Sequence, residues 1–143
     1  MDLESKRDKI NEKDKHNIYL FQKDEITEYH IYKKLSERTR DEKNSRILKQ
    51  IAEDEYEHYH FWEKVTDNVV KPNKLKIYWY YFLAVIFGLT FSLKLMENGE
   101  KDAQISYSQL IDKIPETQEI ISDEENHEEK LLSLIEEERL KYI

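Results

Sequence analysis

Hydrophobic residues recur along most of this chain at intervals of three and four, the spacing of one buried face of an α-helix. The alternation of hydrophobic and polar residues that marks strands is missing. Two glycines and two prolines in 143 residues leave few places to turn. The pattern therefore predicts an all-α protein with four long helices, over about residues 17–38, 42–68, 76–113 and 116–141.

The breaks between these helices coincide with residues that disfavour helix. Pro72 precedes the third predicted helix and Pro115 the fourth, and the polar stretch RTRDEKN separates the first two. A chain of this length fits one domain. We therefore expect a charged lead-in over residues 1–16 and a four-helix bundle over residues 17–143.

The buried face of each predicted helix is hydrophobic except at one place. In the second helix, for example, the exception lies between Ile51 and Trp62. Burying an unpaired charge costs several kcal/mol, so these exceptions need a reason. Each is a carboxylate, followed three residues later by a histidine in the second and fourth helices: Glu25, Glu55 with His58, Glu97 or Glu100, and Glu124 with His127.

This combination matches the ligands of a di-iron or di-manganese site in a four-helix bundle. Such a site takes a Glu from each of two helices and a Glu-x-x-His pair from each of the other two. The charge of the metals then compensates the buried carboxylates. The sequence predicts two iron ions per site, with manganese or zinc as substitutes, and Tyr32 and Tyr107 close enough to hydrogen-bond the ligands.

Three other interpretations stay open at this stage. A single Glu-x-x-His is weak evidence, because Glu57 with His60 has the same spacing and lies off the buried face. Glu97 or Glu100 alone could be a partly exposed ion-pair partner, and either buried histidine could be a hydrogen-bonded core residue. A purely structural bundle would require the buried carboxylates to be solvated or protonated.

Composition excludes several classes of function. Charged residues make up 38% of the chain, the net charge is −8, and lysines and arginines alternate with acids, so we expect no binding to nucleic acid. Cysteine is absent, which excludes disulfides and a rubredoxin-type iron centre. The N-terminus has no apolar signal core, which makes the cytoplasm the expected location. The apolar run 77–93 is shorter than the roughly 20 residues of a membrane span.

Four stretches resemble the helices of the rubrerythrin branch of the ferritin-like superfamily: DEITEYHIYKKL, IAEDEYEHYHFWEKV, FGLTFSLKLMENGE and DEENHEEKLL. They are most similar to the ferritin-like domain that is fused to membrane proteins of the vacuolar-iron-transporter type. The resemblance covers about residues 17–140. It implies that the ligands are Glu25, seven residues before Tyr32, then Glu55, His58, Glu97, Glu100, Glu124 and His127.

The resemblance also implies an activity, namely oxidation of Fe(II) by oxygen or peroxide in iron transport or detoxification. The C-terminal EEERLKYI ends within a predicted helix, as expected if a membrane transporter domain follows and tethers the protein on the cytoplasmic side. The missing rubredoxin module removes the usual electron entry of rubrerythrin. A non-enzymatic iron-sensing or buffering module and a peroxide-reducing protein remain as alternatives.

Counting residues between the candidate ligands predicts a homodimer. If the third helix is continuous from Lys76, a crossover inside one bundle must span about 45 Å. Residues 69–76 reach only about 26 Å. The aromatic residues Trp79 and Phe82 would then project beyond their own hairpin and need a cover. A dimer with exchanged hairpins, whose metal sites are built from two chains, is the strongest form of this prediction.

Overall fold

The computed structural model describes residues 3–140 of the chain, and side chains over residues 5–98 and 107–140. All regular structure in residues 3–140 is helical, which confirms the predicted all-α class. The helices are α1 (Leu3–Lys9), α2 (Glu12–Arg38), α3 (Glu42–Thr66), α4 (Lys74–Phe87), α5 (Leu89–Ser108) and α6 (Thr117–Leu140).

The α2–α3 hairpin is defined by capping residues at both helix starts. Asn11 Oδ1 accepts the backbone N–H of Asp14, whose carboxylate accepts the N–H of Asn11 in return. This capping box starts α2 at Glu12, earlier than the predicted residue 17. Because α1 also lies in the expected lead-in, most of residues 3–16 are helical. The side chain of Asp41 accepts the N–H of Asn44 at the start of α3.

The predicted third helix is wrong as a single element, because the chain turns sharply at Gly88. This residue has φ 99° and ψ 159°, a conformation that only glycine adopts without strain. The hydroxyl of Ser92 donates to the carbonyl of Tyr80 at 2.8 Å. In a straight helix, residues twelve apart would be separated by about 18 Å along the axis. Helices α4 and α5 therefore form a hairpin.

Helix α4 itself spans the distance between the two ends of the bundle, which residues 69–76 alone are too short to cross. Its start is held to the middle of α2, where the N–H of Asn73 donates to Thr27 Oγ1. Its end at Gly88 lies beside Thr39, next to the α2–α3 turn. Helix α5 then runs back to bring Tyr107 onto Trp62, near the end of α3. Helices α3 and α5 are thus parallel.

One chain supplies the four bundle helices α2, α3, α5 and α6, with α4 packed on the outside. Helix α6 returns toward the α2–α3 turn, where Lys43 Nζ contacts Glu137 at 2.9 Å. The homodimer stays a prediction, although the distance argument for it no longer applies. Trp79 and Phe82 lie on the side of the bundle instead of beyond its end. None of the helices in residues 3–140 is long and apolar enough to cross a membrane.

The two largest hydrophobic clusters of the interior leave a polar layer between them, and a smaller third cluster is formed by Ile26, Tyr59 and Val70. The cluster toward the α2–α3 turn and the cluster toward the opposite end are each built from residues of α2, α3, α5 and α6 or their connections. Their fully buried members include, in the first, Ile31, Leu35, Leu48, Ile51, Leu131 and Leu134, and in the second, Ile18, Trp62, Val65, Leu110 and Ile114. The site lies between these clusters.

Replacing Gly88 by alanine tests the turn between α4 and α5. A Cβ at this position would meet no atom within 4 Å, so the penalty is conformational strain alone. We expect Gly88→Ala to lower the free energy of unfolding by about 1–3 kcal/mol in urea denaturation. The control Ser133→Ala, on the exposed face of α6, should change it by less than about 0.5 kcal/mol. An unchanged or higher stability for Gly88→Ala would contradict the sharp turn.

Candidate metal centre

Three helices direct acidic and imidazole side chains into the layer between the hydrophobic clusters. Helix α2 contributes Glu25, α3 contributes Glu55 and His58, and α6 contributes Glu124 and His127. All five are buried, with exposures between 0% for Glu55 and 5% for His58 and Glu124. Residues three apart lie on the same face of a helix, so each Glu-x-x-His pair presents both side chains to one point.

The side chains converge closely enough to share a cation. One ligand atom from each of Glu25, Glu55, His58 and Glu124 lies within 4.8 Å of the others. His58 Nδ1 is 3.3 Å from Glu25 Oε2 and 3.2 Å from Glu124 Oε1. His127 Nδ1 is 3.1 Å from Glu55 Oε1. Carboxylate oxygens and imidazole nitrogens together suit iron, manganese or zinc better than a soft cation.

The outer nitrogens of both histidines are held by aspartates from the opposite helix. His58 Nε2 lies 2.8 Å from Asp123 of α6, and His127 Nε2 lies 2.8 Å from Asp54 of α3. An Nε2–H donated to a carboxylate leaves Nδ1 available to bind a metal, and partners of this kind fix the ring orientation of ligating histidines. The sequence reasoning missed both aspartates. Their signal was available, because each directly precedes the Glu of a Glu-x-x-His pair.

The polar atoms of this layer are incompletely satisfied. Both carboxylate oxygens of Glu55, Oε1 of Glu124 and Nδ1 of His127 are buried without a hydrogen bond of good geometry among the described residues. Buried polar groups are normally paired, and leaving them unpaired costs free energy. A cation between these atoms would satisfy them together, which supports a metal site over a merely structural role.

Burial and mutual repulsion strongly perturb the carboxylates. Burial, reinforced by the charges of Glu124 and Glu25, raises the pKa of Glu55 well above its usual range. Glu28, one turn after Glu25, has its pKa raised to about 8 by burial and by the same two charges. Sequence reasoning missed Glu28 too, although its spacing of three from Glu25 matches that of the Glu-x-x-His pairs. It adds a carboxylate at the edge of the cluster.

The surrounding carboxylates favour the protonated form of both histidines. Burial opposes protonation of His58, but the carboxylates of Glu25 and Glu124 outweigh it and raise its pKa to about 12. The pKa of His127 is raised against burial by Glu124 and Asp54. In return, and again against burial, the nearby imidazoles of His127 and His58 lower the pKa of Glu124 to about 2.

Tyr107 contacts the cluster from the end of α5. Its hydroxyl donates to Glu25 Oε1, and its ring packs on Phe21 and Trp62, with centroids at 4.0 and 6.0 Å. Burial and the charge of Glu25 raise the pKa of Tyr107 well above its usual value, so it stays a donor. Tyr32 is buried within the hydrophobic cluster near the α2–α3 turn.

The structure does not test the two ligands predicted on the third helix. Glu97 lies on α5, partly exposed and outside the four residues that converge. The side chain of Glu100 falls outside the described residues. Roles for Glu97 and Glu100 stay predictions. His60, set aside from its position off the buried face, is 41% exposed at its side chain and lies beside Glu63.

Comparison with protein-family models, with curated proteins and with solved structures finds no match to this chain. The case for a metal centre therefore rests on the geometry of Glu25, Glu55, His58, Glu124 and His127.

The pKa shifts predict that the metal-free protein loses stability as pH rises from about 5 to 8. Folded Glu28 and Glu55 retain protons that the unfolded chain releases above pH 4.5, so the unfolding free energy falls through this window. His58 acts in the same direction above pH 6.5, because the folded protein keeps a proton on His58 that the unfolded chain releases.

Urea denaturation of the metal-free protein at pH 5.5 and 7.5 measures this slope. The double variant Glu28→Gln/Glu55→Gln should flatten it, since both titrating carboxyls are gone. The control His60→Ala changes an exposed histidine and should leave it unchanged. A stability that rises with pH in the metal-free wild type would contradict the raised pKa values of Glu28 and Glu55.

Proposed function

We propose that the buried cluster binds two iron ions and that the protein oxidises Fe(II), as in ferritin-like four-helix bundles of the rubrerythrin branch. The observation that carries the proposal is the pair of facing Asp-Glu-x-x-His segments, 54–58 and 123–127, which point two carboxylates and two Nδ1 atoms at one buried layer. Glu25 adds a third carboxylate from α2.

The donor set fits this metal class in charge as well as in geometry. Two divalent cations need several carboxylates for neutralisation, and Glu25, Glu55 and Glu124 lie at the centre with Glu28 beside them. Glu97 or Glu100 of α5 would complete the set. Manganese or zinc can occupy similar ligands. Iron supplies the change between two oxidation states and the reactivity toward oxygen or peroxide.

The chain's own residues prepare the site for this chemistry. His58 and His127 must lose their Nδ1 protons for metal to bind. Each ring keeps its Nε2 proton, because Nε2–H donates to Asp123 or Asp54, and this hydrogen bond holds the ring in place. Tyr107 fixes Glu25 by donating to Oε1 and leaves Oε2 directed toward His58. The hydrophobic clusters on both sides exclude bulk water from the layer.

The resemblance to transporter-linked ferritin-like domains extends the proposal to a role. Oxidation of Fe(II) would serve iron transport or detoxification, with a membrane transporter domain following the C-terminus and the bundle on the cytoplasmic side. Two alternatives remain. A module that only senses or buffers iron would not turn iron over, and a peroxide-reducing protein would use peroxide as the oxidant.

Metal analysis tests the site directly. We expect about two iron equivalents per chain after anaerobic loading with Fe(II) and removal of excess metal. His58→Ala should lose most of this iron, because it removes an inward-facing nitrogen. His60→Ala, two residues away on the same helix and exposed, should retain it. Equal loss from both variants, or no iron in the wild type, would contradict the proposed site.

Turnover separates an oxidase from a binding module. With Fe(II) in large excess over protein, we expect oxidation to continue well beyond two iron ions per chain. The reaction is monitored by the absorbance of the ferric product. Glu55→Gln should slow it at least ~10-fold, as for losses around a metal site. The matched control Glu57→Gln, exposed on α3, should not. Oxidation that stops at the bound ions would indicate a buffer or sensor, and faster turnover with peroxide than with oxygen a peroxide-reducing protein.

A further inference from the structure

Helix α4 carries hydrophobic residues on two faces, of which only one is covered. The inner face packs Ile77 and Ala84 against the bundle. The outer face is a continuous stripe at helical spacing, formed by Tyr78, Trp79, Phe82 and Ile86, whose exposures lie between 51% and 62%. Phe87 and Phe91 extend this outer stripe around the turn, with ring centroids 5.0 Å apart. Exposed apolar patches of this size mark interaction sites.

The charges around the outer stripe are segregated. The chain has 31 acidic residues, yet none lies between Asp67 and Glu97. The charged residues in this interval are all lysines: Lys71, Lys74, Lys76 and Lys94. Elsewhere in the chain lysines are interspersed with acidic residues, and this segment is the exception.

The neighbouring helix adds to the positive character of the stripe. Lys34 of α2 places its ammonium group 5.6 Å from the ring centroid of Tyr78 and 5.3 Å from that of Tyr81. Two of the lysines have acids nearby: the charge of Lys76 acts on Asp24 of α2, and Lys94 lines a cavity with Glu136 and Glu138 of α6. An apolar, aromatic stripe with lysines at its ends and along its edge is typical of a helix that lies in a membrane interface.

We propose that the outer stripe of α4 docks on the surface of a lipid bilayer that contains anionic headgroups. Trp79, Phe82 and Ile86 enter the boundary between headgroups and acyl chains, and Lys71, Lys74 and Lys94 contact the headgroups. The net charge of −8 repels such a surface, so the acid-free face has to be the one that approaches. Docking is peripheral and independent of metal binding.

Charge complementarity favours lipid over a second copy of the chain as the occupant. Two outer stripes that pack on each other would bring lysines from both copies to a surface that offers no acidic residue over 68–96. Anionic headgroups supply that missing charge. Lipid also accommodates the aromatic rings, because tryptophan and tyrosine favour the membrane interface.

Tryptophan fluorescence of the whole chain tests this docking. The chain has two tryptophans, and Trp62 is fully buried, so a change on adding vesicles reports on Trp79. We expect a blue shift and co-sedimentation with vesicles of phosphatidylcholine and phosphatidylglycerol, both reduced at high salt. Pure phosphatidylcholine vesicles should bind at least ~5-fold less protein. Trp79→Phe should keep the binding and lose the shift.

Two sets of variants separate the apolar and the charged contributions. Trp79→Ser/Phe82→Ser should cut vesicle binding at least ~5-fold, whereas Tyr19→Ser/Tyr56→Ser, which removes two exposed aromatic residues elsewhere, should not. Lys71→Gln/Lys74→Gln, at exposed positions that cannot disturb the core, should abolish the preference for anionic vesicles. Circular dichroism confirms that each variant is folded.

Three results would overturn the proposal. The first is a wild-type protein that binds neither vesicle, and the second is equal binding to both vesicles. The third is a lipid-free dimer, seen by light scattering and dissociated by Trp79→Ser/Phe82→Ser, without vesicle binding. That last result would assign the outer stripe to a second copy of the chain.

Discussion

The structure depends on the packing of at least three carboxylates into a layer from which water is excluded. Ligand atoms of Glu25, Glu55, His58 and Glu124 lie within 4.8 Å of one another, a separation at which like charges in a buried site strongly oppose ionisation. The histidines reduce this repulsion, and the large hydrophobic residues on both sides, such as Trp62 and Leu131, hold the helices against it. The centre of the bundle is therefore stabilised by any positive charge placed between these carboxylates.

Helix α4 allows one chain to supply all four helices of the bundle around this centre. Because α4 returns along α2 to the α2–α3 turn, α5 can run parallel to α3 and α6 can face it. Gly88 makes this route feasible by reversing the chain within a single residue. This route leaves α4 with one uncovered apolar face, on which the proposed membrane docking depends.

Sequence periodicity predicted the helices and most of the central residues, but not the path between them. Glu55 and His58 were recognisable because they interrupt an apolar face between Ile51 and Trp62. Gly88 was not, because a lone glycine in an apolar run costs a helix only about 1 kcal/mol, and the reversal depends on tertiary packing. Asp54 and Asp123 were missed although each directly precedes the Glu of a Glu-x-x-His pair, because their role also requires a partner on another helix.

The exchange of aspartates between α3 and α6 gives the centre a local two-fold equivalence. His58 is hydrogen-bonded to Asp123 and His127 to Asp54, so α3 and α6 each present an aspartate, a glutamate and a histidine in the same order. Two ions placed between these helices would see nearly identical surroundings from them. Any difference in affinity or redox potential between the ions must then come from the helices that break the equivalence, where α2 offers Glu25 and Glu28 and α5 offers Tyr107. A difference between the two ions would therefore arise from the side of the bundle formed by α2 and α5.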